Sequence, residues 1–112
     1  MAIIDKPNLH FETKLYTGNG STQSITGVNF QPDFTWIKNR TDTYGHRVVN
    51  SVTDTVMFTN ANAAEETDSN VISSFDSNGF SIGTDAGTNA NTNAFASWNW
   101  KAGTSFTNDA SG

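Results

Sequence analysis

Apolar and polar residues alternate with a period of two near the start of the chain, between positions 9 and 16. This period is typical of a strand with one buried face, so the pattern predicts a strand whose apolar set packs inward. A glycine-containing turn at 16–21 and a short strand at 23–25 would complete a first hairpin. The predicted inward set is Leu9, Phe11, Thr13 and Leu15, and the predicted solvent-facing set is His10, Glu12, Lys14 and Tyr16.

The most strongly apolar stretch is residues 28–38, where aromatic and β-branched residues follow Pro32. Such residues favour a strand over a helix, and the proline makes the chain turn before the strand begins. Neither side of this strand is purely polar, which predicts an interior position in a sheet with both faces covered for part of its length. We therefore expect Trp36 to be a core residue that packs against Trp98 and Phe80.

Further strands are predicted along the rest of the chain. Residues 44–52 hold three valines, which favour a strand, although the spacing of the apolar residues also fits one face of a short helix. Residues 71–83 predict a hairpin, because the Asn-Gly pair at 78–79 accepts the positive φ values of tight turns. Two more strands are predicted at residues 55–59 and 94–101. Residues 61–66 could form a helical turn, and residues 85–93 are predicted to be a loop. The last strand places Ala96, Trp98 and Trp100 on one face and Phe95, Ser97 and Asn99 on the other.

Seven or eight short strands with turn signals between them predict an all-β fold, a single-domain antiparallel β-sandwich or jelly roll. A chain of 112 residues has room for one such domain. We expect an N-terminal arm at residues 1–7, the β-domain at residues 8–102, and a polar C-terminal tail or linker at residues 103–112.

The charge balance argues against two classes of partner. The chain has six Lys and Arg against eleven Asp and Glu, a net charge of −5, and its basic residues are scattered. No basic patch is large enough to hold a phosphate backbone, so nucleic acid is not an expected partner. No apolar run approaches the roughly 20 residues needed to cross a bilayer, so membrane insertion is not expected either.

Catalytic and metal-binding patterns are also absent from the sequence. There is no cysteine and no pair of histidines at ligand spacing. The phrase Gly-Phe-Ser-Ile-Gly at 79–83 lies in the predicted hairpin at 71–83, not at the strand-to-helix turn that a nucleophile elbow requires. The acidic residues at 65–68 lie together in one polar stretch rather than on two sides of a groove. We expect no catalytic residue, no cofactor, no metal site and no enzymatic activity.

Aromatic residues beside an amide-rich loop could bind a sugar, because aromatic faces stack on pyranose rings while amides bind hydroxyls. The few large aliphatic residues make core packing the better assignment for Trp36 and Trp98, whereas Trp100 lies near a strand end. The candidate ligand contacts are Trp100, Tyr44, Asn89, Asn91 and Asn93.

Four phrases, in this order and spacing, resemble a domain of unknown function found in structural proteins of tailed bacteriophages, many of them marine phages of cyanobacteria. The phrases are YTGNGSTQSI at 16–25, FQPDFTWIK at 30–38, SFDSNGF at 74–80 and WNWKAG at 98–103. Thr35 stands where the family pattern has an aliphatic residue. The resemblance implies a virion component, such as a fibre, an appendage or a capsid-surface module, and implies no activity.

The first functional hypothesis is therefore a non-enzymatic structural protein on the virion surface. Repeated virion parts use closed symmetry or helical stacking, so we expect a homo-oligomer that also contacts other virion proteins. The alternative is a lectin-like receptor-binding module that recognises host-surface glycans. A hydrolase has the least support, because no acid–base pair can be nominated.

Overall fold

The computed structural model describes residues 9–62 and 64–102, and the predicted arm at 1–7 and tail at 103–112 lie outside these described residues. Within the described residues, eight strands and one single-turn helix follow one another. They are β1 (Phe11–Thr17), β2 (Gln23–Ile25), β3 (Phe34–Asn39), β4 (Arg47–Asn50), β5 (Val56–Phe58), β6 (Ser74–Asp76), β7 (Gly79–Ile82), α1 (Ala86–Asn89) and β8 (Ala94–Trp100).

The strands form two antiparallel sheets, which confirms the predicted all-β sandwich. Sheet A has five strands in the order β1-β8-β3-β4-β5, and sheet B has three strands in the order β2-β7-β6. The strand predicted to be interior, β3, is the central strand of sheet A, between β8 and β4. The ambiguous stretch 44–52 is a strand over Arg47–Asn50, as the valines favoured.

The core lies between the two sheets. Sheet B contributes Ile25, Phe80 and Ile82, and the hydrophobic residues of sheet A that join them are Ile37, Val49, Val56 and Phe95, with Val71 and Ile72 from the segment before β6. Tyr16 stacks on Phe95 with ring centroids 5.1 Å apart and meets Phe80 edge-on at 6.1 Å. Such aromatic pairs add to the burial of apolar area, so this trio joins the two sheets firmly.

The predicted hairpin at 71–83 is confirmed, although its loop is Ser77-Asn78. Asp76 pairs with Gly79, so β6 and β7 are joined by two residues. Gly79 is required here for space, because a Cβ on this residue would collide with the carbonyl oxygen of Ile25 in the neighbouring strand β2.

The predicted first hairpin is wrong. β1 pairs with β8 in sheet A, whereas β2 pairs with β7 in sheet B. The connection between β1 and β2 therefore crosses from one sheet to the other, and Gly18 lies so close to Ala90 that a Cβ would collide with the Ala90 carbonyl oxygen. Long-range backbone contacts replace the local strand pairing at this point.

Two smaller predictions also need correction. The optional helical turn at 61–66 is not formed by the described residues of that stretch, because Glu66 pairs as an isolated bridge with Val56. The predicted loop at 85–93 contains the single helical turn Ala86–Asn89, which follows Asp85.

Candidate functional site

The outer face of sheet A, the face directed away from sheet B, carries three rows of side chains that run across the strands. Strand register defines the rows, since directly paired residues of a sheet point to the same side. The first row is Phe11, Trp100, Phe34 and Asn50; the second is Thr13, Trp98, Trp36, Val48 and Met57; the third is Leu15, Ala96 and Lys38. Apolar residues dominate all three rows, and none of their members is acidic.

The predicted burial of β1 is inverted in this structure. Leu15 is 58% exposed and Phe11 is 39% exposed, whereas Glu12, Lys14 and Tyr16 are half-buried on the side that faces sheet B. The cause is the Tyr16 ring, which packs into the core and donates a hydrogen bond from its hydroxyl to the Thr88 carbonyl oxygen at 2.7 Å. Because side chains alternate along a strand, fixing Tyr16 inward turns Phe11 and Leu15 outward.

Trp36 and Trp98 also lie on the outer face, half-buried, rather than in the core. Their rings are in edge contact with centroids 6.2 Å apart, which confirms the predicted pairing of the two tryptophans. The predicted contact of Trp36 with Phe80 is wrong, because Phe80 is fully buried between the sheets, on the opposite side of β3. Ile37 occupies the inward position next to Trp36 instead.

A shallow aromatic hollow of about 230 Å³ lies on this face, lined by Trp36, His46, Trp98 and Trp100. The indole N–H of Trp36 donates to Nδ1 of His46 at 2.7 Å, so the hydrogen-bonding groups of these two side chains already engage each other. Phe11 extends the aromatic surface beyond the hollow, with its ring centroid 5.0 Å from that of Trp100. The hollow thus offers aromatic surface with few free polar groups.

His46 is the titratable group of this hollow. Partial burial, together with the nearby charge of Lys38, lowers the pKa of His46 below its ordinary value. The neutral imidazole is also the form that can accept the Trp36 hydrogen bond at Nδ1. The ammonium group of Lys38 donates to the carbonyl oxygens of Asn39 and Tyr44, at 2.6 and 3.0 Å.

The predicted ligand contacts do not come together. Trp100 lies on the outer face, 36% exposed, while Tyr44 is 42% exposed in the loop between β3 and β4. Tyr44 lines a separate hollow with Asp42 and Thr43. The asparagines lie beyond Ala94, the other end of β8, which is six residues or about 20 Å of strand away from Trp100.

Asn89 and Asn93 are buried and use their side chains within the fold. The side-chain oxygen Oδ1 of Asn89 accepts from the Asn19 backbone N–H at 2.9 Å and from the Gln23 side-chain amide at 2.7 Å. The side-chain amide nitrogen of Asn89 donates to Asn19 Oδ1 and to the backbone carbonyl oxygens of Ser21 and Gly83. Asn93 donates to a carboxylate oxygen of Asp42 at 2.6 Å. Of the three predicted asparagines, only Asn91 is exposed. The amides of the other two hold loops in place.

The inner face of sheet A, which meets sheet B, is the more polar face. Its rows are Glu12, Asn99, Thr35, Val49 and Val56; Lys14, Ser97, Ile37, Arg47 and Phe58; and Tyr16, Phe95 and Asn39. Thr35 donates to Asn99 Oδ1 at 2.9 Å, and the Asn99 amide donates to the Glu12 carbonyl oxygen at 3.1 Å. This pairing gives a physical reason for Thr35 where the resemblance led us to expect an aliphatic residue.

Arg47 and Asp85 form an ion pair at the edge of the core. Nε of Arg47 lies 3.3 Å from a carboxylate oxygen of Asp85, and the guanidinium lies over the Phe58 ring, 4.6 Å from its centroid. The Asp85 charge also adds to burial in raising the pKa of Tyr16, with burial as the larger cause. Arg47 and Asp85 thus have defined structural partners at this edge.

A larger and more polar hollow, of about 480 Å³, lies between the β4–β5 connection and the segment before β6. Asp54 and Asp68 are its carboxylates, and Asp68 accepts a hydrogen bond from the Asn70 backbone N–H at 2.9 Å. Within residues 9–62 and 64–102, no group of three His, Cys, Asp or Glu side chains is placed to hold a metal ion. No helix of that part of the chain is long and apolar enough to span a membrane.

The sequence did not reveal the aromatic face, because its rows depend on the insertion of β8 between β1 and β3. His46 gave no signal of its role, and Phe11 and Leu15 were assigned to the core. The alternation of Ala96, Trp98 and Trp100 along β8 was the one visible sign that large aromatic residues share a face.

Comparison with known proteins gives a family without an assigned activity. No curated protein and no solved structure matches the chain significantly. One family model matches residues 6–112, which is nearly the whole sequence. The chain belongs to the family described as Domain of unknown function (DUF7483).

Proposed function

We propose that this protein is a non-enzymatic structural subunit of a bacteriophage virion, located at the particle surface and acting through contacts with copies of itself and with other virion proteins. The observation that carries an assembly role is the outer face of sheet A. It places Phe11, Trp98 and Trp100 on an open sheet surface that contains no acidic residue. Large exposed apolar patches on folded domains mark interaction sites.

The virion assignment itself draws on the phrases at 16–25, 30–38, 74–80 and 98–103, which resemble phage structural proteins. Two of these phrases supply residues of the outer face, since Phe34 and Trp36 lie in the second phrase and Trp98 and Trp100 in the fourth. The third forms the β6–β7 hairpin of sheet B, which backs sheet A. The phrases therefore supply both the contact surface and the scaffold that supports it.

Particle fractionation tests this function. Virus particles purified by density gradient from a culture that carries the gene should contain the protein, and antibody against it should label their surface in electron micrographs. A protein found only in the soluble fraction of the lysate, with purified particles free of it, would contradict the proposal.

The second candidate function is recognition of host-surface glycans, and the aromatic hollow formed by Trp36, His46, Trp98 and Trp100 favours it. Aromatic faces can stack on sugar rings, but the sugar hydroxyls also need polar partners. The Trp36 indole N–H and His46 Nδ1 are bonded to each other, which leaves fewer groups for hydroxyls and ranks this function second. A glycan array with Trp100→Ala as the comparison would detect it, because a sugar bound at the hollow should lose affinity in the variant.

A further inference from the structure

The outer face of sheet A is more apolar than the solvent-facing side of a free-standing sandwich. In an antiparallel sandwich, alternate residues pack inward as the apolar set and the others meet water. Here Glu12, Lys14 and Arg47 belong to the inner face, while the first two rows of the outer face carry five aromatic residues together with Val48 and Met57. The outer face therefore has the composition of a surface that is covered when the protein functions.

The distribution of charge indicates what could cover it. The chain has a net charge of −5, so two copies repel each other unless they meet on a surface without carboxylates. The three outer rows contain no Asp or Glu, and their one formal charge is Lys38 in the third row. The Lys38 ammonium already donates to backbone carbonyl oxygens, including that of Tyr44. Two copies can thus meet face to face without pairing like charges at the centre.

The dimensions of the face suit a small interface between copies. Five strands and up to seven residues per strand give a surface of roughly 20 Å by 20 Å, enlarged by the projecting side chains. A standard interface buries about 800 Å² per partner, and weaker ones bury less. The face is smaller than a standard interface, so we expect a weak, concentration-dependent dimer.

We propose that a second copy of this chain packs against the outer face of sheet A through a two-fold symmetric interface centred on Trp36 and Trp98. The inference rests on the proposed assembly function and names its partner. Symmetric pairing uses the same patch on both copies, so one face without carboxylates is sufficient. The two margins of the interface are formed by Leu15 on edge strand β1 and by Met57 on edge strand β5. The Met57 side chain is 45% exposed.

Sedimentation velocity over a range of concentrations tests the proposal with matched variants. Leu15→Asp places a carboxylate on the face at a residue that is 58% exposed, and Val52→Asp adds the same charge in the β4–β5 connection at a residue that is 89% exposed. The wild-type chain and Val52→Asp should both sediment as dimers at high concentration. The dissociation constant of Leu15→Asp should rise at least about tenfold, because a charge would have to be desolvated in the contact.

Met57→Asp is a second face variant, which places the same charge at the opposite edge of the sheet and should also weaken the dimer. If both variants weaken it, a local folding defect at β1 is not the cause. Circular dichroism and denaturant unfolding at a concentration where all variants are monomeric should show unchanged folds. A wild-type chain that stays monomeric up to about 1 mM would overturn the inference. Dimers that resist both face variants, or open-ended polymers, would overturn it too.

These outcomes are distinct from failure of the proposed function. A monomeric protein that is nevertheless present in purified particles would leave the structural role standing and place a different virion protein against the face. A dimer that is absent from particles would keep the interface and remove the virion assignment.

Discussion

The two faces of sheet A differ in a way that hydrophobicity alone does not explain. The inner face buries Thr35, Asn39 and Asn99 almost completely, and the outer face leaves Phe11 and Trp100 more than one-third exposed. Both faces are built by the same five strands, so each strand divides its residues between them. The comparison shows that apolar side chains of sheet A are left exposed because other side chains of the same strands, such as Tyr16, Ile37 and Phe95, must point inward.

Strand alternation explains this division. One inward residue fixes the orientation of every other residue in its strand, because side chains point alternately to the two faces. Tyr16, Ile37 and Phe95 form the contacts that join sheet A to sheet B. The tryptophans of β3 and β8 lie an odd number of positions from these residues and must then point outward. Polar residues of the same strands that lie an even number of positions away must point inward and find hydrogen-bond partners.

The largest difference in stability between the two faces should come from deleting one phenylalanine ring from each of them. Phe95→Ala should lower the free energy of unfolding by about 3–5 kcal/mol, because it empties a fully buried site between the sheets. Phe11→Ala on the outer face should cost about 1 kcal/mol, mainly through its contact with Trp100. Urea unfolding of both variants at a concentration that keeps the chain monomeric measures the difference. Equal losses would mean that the outer face stabilises the monomer as much as the core does.

Replacing a polar residue on each face should give a smaller difference in the free energy of unfolding. Asn99→Ala should lower the free energy of unfolding by about 1–3 kcal/mol, because the hydroxyl of Thr35 loses its buried acceptor. Thr13→Ala on the outer face is the matched control, and since its side chain is exposed it should change stability by less than about 0.5 kcal/mol. If Asn99→Ala unfolds at the same denaturant midpoint as the wild-type protein, the inner polar pairs contribute nothing to stability.

The smallest effect is a pH dependence that belongs to the outer face. Because the pKa of His46 is lower in the folded protein than its ordinary value of 6.5, the unfolded chain binds a proton more readily. The free energy of unfolding should therefore be constant above pH 6.5 and fall as the pH decreases below it, as the Trp36 hydrogen bond competes with protonation. Denaturant midpoints measured from about pH 8 to about pH 5 test this.

His46→Gln provides the control for that pH series, because its amide oxygen can still accept from Trp36 but does not titrate. The decline just below pH 6.5 should be weaker in the variant than in the wild-type protein. Parallel curves for the two proteins would assign the decline to other groups.

The sequence was sufficient for the class of fold and for most strands, since alternation, valine-rich stretches and an Asn-Gly turn are local signals. It was not sufficient for the partners of the strands. The residues after Tyr16 read as a hairpin turn, yet the Asn89 side chain, about 70 positions later, holds that loop against α1. The prediction of which β1 residues are buried was wrong for the same reason, because Tyr16 stacks on Phe95, which belongs to a strand far away in the sequence.

The candidate site was harder to predict than the fold. Trp100 was correctly assigned to a strand end and lies on the outer face, but Tyr44 and the asparagines lie elsewhere. Composition indicates which residues could stack on a ligand or donate to it. Only the order of strands in sheet A determines that Phe11, Phe34 and Trp100 share a row.

The insertion of β8 between β1 and β3 also sets the order of events during synthesis. β1 contacts β8 across 83 residues, as in the hydrogen bond from Ser97 to the Lys14 carbonyl oxygen, so β1 must wait roughly 5–15 s at ordinary translation rates for its neighbour. The three rows of the outer face each need a residue of β8, namely Ala96, Trp98 or Trp100. A nascent chain that lacks this strand cannot present the aromatic face, so the proposed pairing with a second copy would have to wait until β8 has emerged from the ribosome.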